Sequence, residues 1–140
     1  MGKRQKRWVY SPPKPKQSQP KVTEALKTEV TTKAGQLIES VLKPRYIHPP
    51  APDQQFNYMI DISSKWYHNY FYLFSTYCSP GPNALAPSFE HKFARMQYAG
   101  NHRFHLSFMR HNGEWVELYT DQTLDECLDA IRDEPYFVLG

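Results

Sequence analysis

Two cysteines, six histidines and fourteen acidic residues are the groups in this 140-residue chain able to bind a metal or move a proton. A structural zinc site needs four nitrogen or sulfur ligands. Cys78 and Cys127 stand far apart, neither with a second cysteine beside it, so no paired ligand spacing exists. His102 and His105 are three apart, but they straddle a turn leading into a strand instead of sharing a helix face. Together with His48, His68, His91 and His111 they read as ordinary surface histidines, and no metal or cofactor is expected. No serine has the glycines of a nucleophile elbow, and no glycine-rich loop opens a helix. Asp61 and Glu117 would make an acid–base pair only if a curved sheet brought them together. Two strand carboxylates in water is the plainer reading. No residue is assigned as catalytic, and the pattern leans away from an enzyme.

Two other groupings suit contact rather than catalysis. The first is the start of the chain. Residues 1–21 hold seven basic side chains and no acid, whereas the remainder has ten basic against fourteen acidic residues. The net +3 therefore divides into +7 on an arm and −4 on residues 22–140. Lys3, Arg4, Lys6, Arg7, Trp8 and Tyr10 mix phosphate-pairing charges with aromatic planes, the combination that holds nucleic acid. The arm equally suits an acidic protein, or its own domain. With Pro12, Pro13, Pro15 and Pro20 and almost no aliphatic side chains, it is expected to be disordered and extended. The −4 of the rest argues against a broad nucleic-acid surface there.

The second grouping depends on strand register. His111, Asn112 and Gly113 lie between Arg110 and Glu114. A two-residue turn would set Phe108 opposite Glu117, mixing apolar with polar. A three-residue loop with Gly113 left-handed sets Phe108 opposite Val116 and Leu106 opposite Leu118. A three-residue loop at Gly100, Asn101 and His102 likewise sets Tyr98 opposite Phe104, Met96 opposite Leu106 and Ala94 opposite Phe108. One face is then apolar. The other carries Arg95, Gln97, His105, Ser107, Met109, Trp115, Glu117 and Tyr119. That second face is expected to be solvated, to bind a ligand or partner, to line a pocket if the sheet curls, or to join two copies as a homodimer.

The elements that position these groups come from periodicity. Thr23 caps a helix whose apolar residues, Leu26, Val30, Ala34, Leu37, Ile38, Val41 and Leu42, recur at three- and four-residue steps until Pro44 stops it. Phe56 to Ile62 alternates as a strand, and Asn69 to Cys78 reads as a central strand. Ser79 to Ser88 is a loop. Thr123 and Glu126 form a capping box for a helix burying Leu124, Cys127, Leu128 and Ile131 until Pro135, and Tyr136 to Gly140 is read as a short edge strand. The fold class is α+β in two layers: helix, five-stranded mostly antiparallel sheet, helix, with both helices on one face. The domains are the flexible arm, 1–21, and a single domain, 22–140.

Several short runs carry a resemblance: Val41-Leu42-Lys43-Pro44-Arg45, Phe56-Asn57-Tyr58, Lys65-Trp66-Tyr67, Pro80-Gly81-Pro82-Asn83, Phe93-Ala94-Arg95, Phe108-Met109-Arg110-His111 and Asp125-Glu126-Cys127-Leu128. With the Arg4-Gln5-Lys6-Arg7-Trp8 start, they resemble a bacterial family catalogued only as a domain of unknown function. The resemblance implies the fold and no site residues.

The expected function is a non-catalytic binding or adaptor domain whose arm engages an acidic partner, RNA or DNA among them. The alternative is a small-molecule or enzymatic site in a concave sheet face. No apolar run is long enough to span a bilayer and no secretory segment is evident, so the expected setting is the cytoplasm, with free cysteines and no membrane partner.

Overall fold

The computed structural model describes residues 20–81 and 87–139. The first helix, α1, spans Glu24–Leu37, and the Thr23 hydroxyl accepts from the Leu26 N–H at its start. The buried residues of this helix and its continuation, Leu26, Val30, Ala34, Ile38 and Leu42, fall every fourth position. In a helix of 3.6 residues per turn, each four-residue step overshoots a full turn by about 40°, so such a stripe would wind off the core. A π-helical turn over Ile38–Leu42 slows that rotation and keeps Ile38 and Leu42 buried.

The same turn carries the helix through Pro44 instead of stopping it there. Lys43 N–H donates to the Ile38 carbonyl, five residues back. The ladder is already off its four-residue spacing when it meets a ring that would clash with the carbonyl of Ser40. A last turn, α2, covers Lys43–Tyr46.

Five strands come next: β1 Tyr58–Tyr67, β2 Tyr70–Cys78, β3 Ser88–Gly100, β4 Arg103–Met109 and β5 Trp115–Gln122. They pair in chain order, every pair antiparallel. β1 runs five residues beyond the expected end at Ile62, because Ser64 and Trp66 continue the alternation opposite Leu73 and Phe71. The β3–β4 register is the expected one: Ala94 opposite Phe108, Met96 opposite Leu106, Tyr98 opposite Phe104. Its turn is tighter than expected, with Asn101 and His102 both at positive φ between the paired Gly100 and Arg103. At the β4–β5 turn Gly113 has φ +86°, Arg110 donates to Glu114 and Gly113 donates to Arg110, which closes the three-residue loop.

The helix α3, Leu124–Asp133, carries the reciprocal capping box of Thr123 and Glu126 and buries Leu124, Cys127, Leu128 and Ile131. Among the described residues, the edge strand expected at Tyr136 to Gly140 is not formed. Pro135–Phe137 is a 3-10 turn, and Phe137 is buried against Phe108, ring centroids 6.4 Å apart. Proline opens such a turn with φ preset and no N–H to lose. α1, the π turn and α3 pack on one face of the sheet, over Phe71, Leu73, Ala94, Met96, Phe104 and Leu106. The opposite face is left open by both helices.

Candidate contact surface on the open sheet face

Alternation along five strands places side chains on the open face in rungs. One rung runs Lys65, Tyr72, Arg95, Ser107, Glu117, and another runs Tyr67, Tyr70, Gln97, His105. Met109 lies opposite Trp115. Of the residues anticipated for this face, Arg95, Gln97, His105, Trp115 and Glu117 lie on it.

Tyr119 does not. Ser107 pairs with Glu117, but Leu106 pairs with Tyr119, leaving Leu118 as an extra residue. Two residues opposing one on a bulged strand share that partner's side, so Leu118 and Tyr119 both pack toward the core. The Tyr119 hydroxyl donates to Glu134 Oε2 at 3.0 Å, and this bond holds the phenol in its neutral form, above its ordinary pKa. The expected pairing of Leu106 with Leu118 fails for the same reason. A further shift leaves Phe104 opposite Gln122, with Asp121 left-handed and its N–H donating to His105 Nδ1 at 3.2 Å.

The centre of the face is Arg95. Its guanidinium lies 5.0 Å from the Tyr70 ring centroid and 4.9 Å from that of Trp115. Tyr72 bridges the two rings, stacked on Tyr70 at 6.0 Å and tilted against Trp115 at 5.9 Å. Lys92 sits 5.3 Å over Tyr72, and Lys65 sits 4.9 Å over Phe74 and 3.7 Å from Glu90. Among the described residues the Arg95 Nε is buried without a hydrogen-bond partner. Among the described residues, none of the ion pairs involves Arg95.

Such an arrangement holds cations between flat faces and presents donors able to fork onto a phosphate or carboxylate. Tyr67, Tyr70, Tyr72, Phe74, Lys65 and Lys92 were not anticipated. The available signal was the alternation in β2, where Tyr70 and Tyr72 take one parity and the buried Phe71 and Leu73 the other.

The remaining candidates separate. Asp61 and Glu117 lie on opposite edge strands, four strand spacings or roughly 19 Å apart, so they are no acid–base pair. Asp61 instead meets Lys43 at 3.1 Å. Burial pushes its carboxyl up, but the Lys43 ammonium, the Ile62 N–H and the Ser63 hydroxyl outweigh this and hold it below its ordinary value. Cys78 and Cys127 are both free, and burial pushes the Cys127 thiol up to about 12. Among the described residues no three histidine, cysteine or acidic side chains group around a metal position, and no helix is long and apolar enough to cross a membrane.

Among the described residues, a groove of ≈ 510 Å³ lies on the helix side between α1 and α3, bounded by Lys33 and Arg132. Other cavities adjoin His102 and Tyr119. The arm residues Lys3, Arg4, Lys6, Arg7, Trp8 and Tyr10 lie outside the described residues. Pro20, the first described residue, stands beside Gly100 at the β3–β4 turn, 3.5 Å from where a Cβ would be.

No curated protein and no solved structure matches the chain. A family model does match, over residues 20–139, from the Pro20 contact through the buried Leu139, which takes in every rung of the open face. The chain belongs to that family, described as a domain of unknown function, DUF3024.

Proposed function

We propose that this chain is a non-catalytic binding domain that holds an acidic partner, single-stranded nucleic acid, between its open sheet face and its basic arm. The observation that carries the reading is Arg95, stacked against Tyr70 and Trp115 and free of any ion pair among the described residues. An unpaired guanidinium among aromatic planes, with Lys65 and Lys92 beside it, supplies both terms of single-strand binding: charge for the backbone and ring faces for bases. The −4 of the chain beyond residue 21 restricts such contact to this face and leaves the long-range attraction to the arm.

The test is fluorescence anisotropy of a mixed-sequence RNA oligonucleotide at about 50 and about 200 mM salt. With four phosphates neutralised, affinity falls roughly 50-fold between those salts. Replacing Lys3, Arg4, Lys6 and Arg7 with alanine flattens that dependence. Affinity that is absent at low salt, or a slope indifferent to the arm substitutions, refutes the reading.

A further inference from the structure

The two edges of the sheet differ. Along β5 the register breaks twice within eight residues, and bulges of this kind blunt an edge against further pairing. Along β1 the one break lies between Met59 and Asp61, after which the strand runs unbroken to Tyr67. β1 ends the strand order, and among the described residues nothing pairs with its outer side. Lys43 reaches across this edge to Asp61 at 3.1 Å, which bounds the free stretch at that end.

Hairpin parity fixes which backbone groups face outward. Tyr67 and Tyr70 flank a two-residue turn and are paired, so they form a hydrogen-bonded pair. Lys65 and Ser63, at even spacing, also bond inward to β2. The N–H and C=O of Ile62, Ser64 and Trp66 therefore point away from the sheet, six groups without a strand partner, of which the Ile62 N–H is engaged by the Asp61 carboxylate.

We propose that a second copy of this chain pairs along this edge, antiparallel, with Ser64 of each copy opposite Ser64 of the other. Ile62 then meets Trp66 of the second copy and the reverse, so all six outward groups on each chain are satisfied. A two-fold centred on Ser63 would instead require Ile60, which sits in the bulge, and satisfies only four. One centred on Lys65 would set two ammonium groups directly opposite, which repel.

The Ser64 register sets no like charges directly opposite. It places Lys65 beside Ser63 of the second copy, with that copy's Asp61 on one diagonal and its Lys65 on the other. The two-fold axis is normal to the sheet, so both open faces lie on one side of a doubled sheet roughly 43 Å across. The pairing does not depend on what that face binds.

Sedimentation at about 100 μM tests the pairing, with a mass twice the chain's 16.5 kDa expected. Ser64→Pro deletes an outward N–H and no β1–β2 bond; it is expected to give a monomer with an unchanged far-UV spectrum. In a Cys78→Ser background, Ser63→Cys chains mixed with Lys65→Cys chains are expected to join under oxidised glutathione. These positions are directly opposite, about 4.5 Å between Cα atoms, within disulfide reach. Neither variant alone is expected to form a covalent dimer. A monomeric mass for the native chain, a folded Ser64→Pro protein that stays dimeric, or Ser63→Cys chains joining one another as fast as the mixture each overturns the proposal. Should Ser64→Pro unfold, the mixed cross-link decides.

Discussion

Arg95→Ala should leave the fold nearly as stable as the native one, or more stable, although Arg95 lies mid-sheet. The structure gives two opposing contributions. Its guanidinium stacks on Tyr70 at 5.0 Å and on Trp115 at 4.9 Å, at about 0.5–1 kcal/mol for each partly exposed contact. Against that gain of about 1–2 kcal/mol stands the Nε, buried without a partner among the described residues, a deficit of about 1–3 kcal/mol. Alanine removes both, so the net change runs from a loss of about 1 kcal/mol to a gain of about 2 kcal/mol. A side chain that packs the core behaves otherwise: Phe104, 1% exposed, should cost about 3–5 kcal/mol as alanine. Urea unfolding followed by far-UV circular dichroism measures both variants, with unchanged slope expected for Arg95→Ala. A loss above about 3 kcal/mol for Arg95→Ala would refute the reasoning, because Arg95 would then hold the sheet together, and its placement would need no partner to explain it.

Other consequences are open to direct measurement. Thr123→Ala removes the hydroxyl that accepts from Glu126 N–H and should cost about 1 kcal/mol in the same assay, with Thr123→Ser close to native. The Asp61 carboxyl is held below its ordinary 3.8 in the folded chain. It therefore stabilises at neutral pH and loses that effect as pH falls through its folded value. The stability gap between native and Asp61→Asn should close in acid; a gap that persists at about pH 2 contradicts the ion pair with Lys43. Burial pushes the Cys127 thiol up to about 12, whereas Cys78 is half-exposed. An aromatic disulfide reagent at about pH 8 should label Cys78 alone in the folded protein, and equal rates at both thiols would contradict the packing of α3.

The β3–β4 pairing was legible because a turn of fixed length admits few registers and only one keeps apolar residues together. Arg95, Gln97, His105, Trp115 and Glu117 follow from the same register. Tyr119 does not, since an extra residue at Leu118 turns the strand over and nothing in Leu118-Tyr119-Thr120 announces a bulge. β2 hid its open face for another reason: Phe71, Tyr72, Leu73 and Phe74 are all apolar, so burial alone does not assign them. Its pairing with β3 also shifts between Leu73 and Phe74. Pro44 misled because the rule for proline assumes α-helical spacing, and a π turn ahead of it removes the conflict. The groups gathered around Arg95 come from β2, β3 and β5, a convergence that no local spacing encodes.

We propose that the Arg95 stack on the open face holds a single-stranded nucleic acid. The most direct test is the affinity of the native chain, Arg95→Ala and Trp115→Ala for one RNA oligonucleotide at about 50 mM salt, with folding checked in parallel. Loss of one stacked base should weaken Trp115→Ala binding roughly 5- to 150-fold, and Arg95→Ala should weaken binding as well with its fold intact. Binding equal to native in both folded variants would contradict the account.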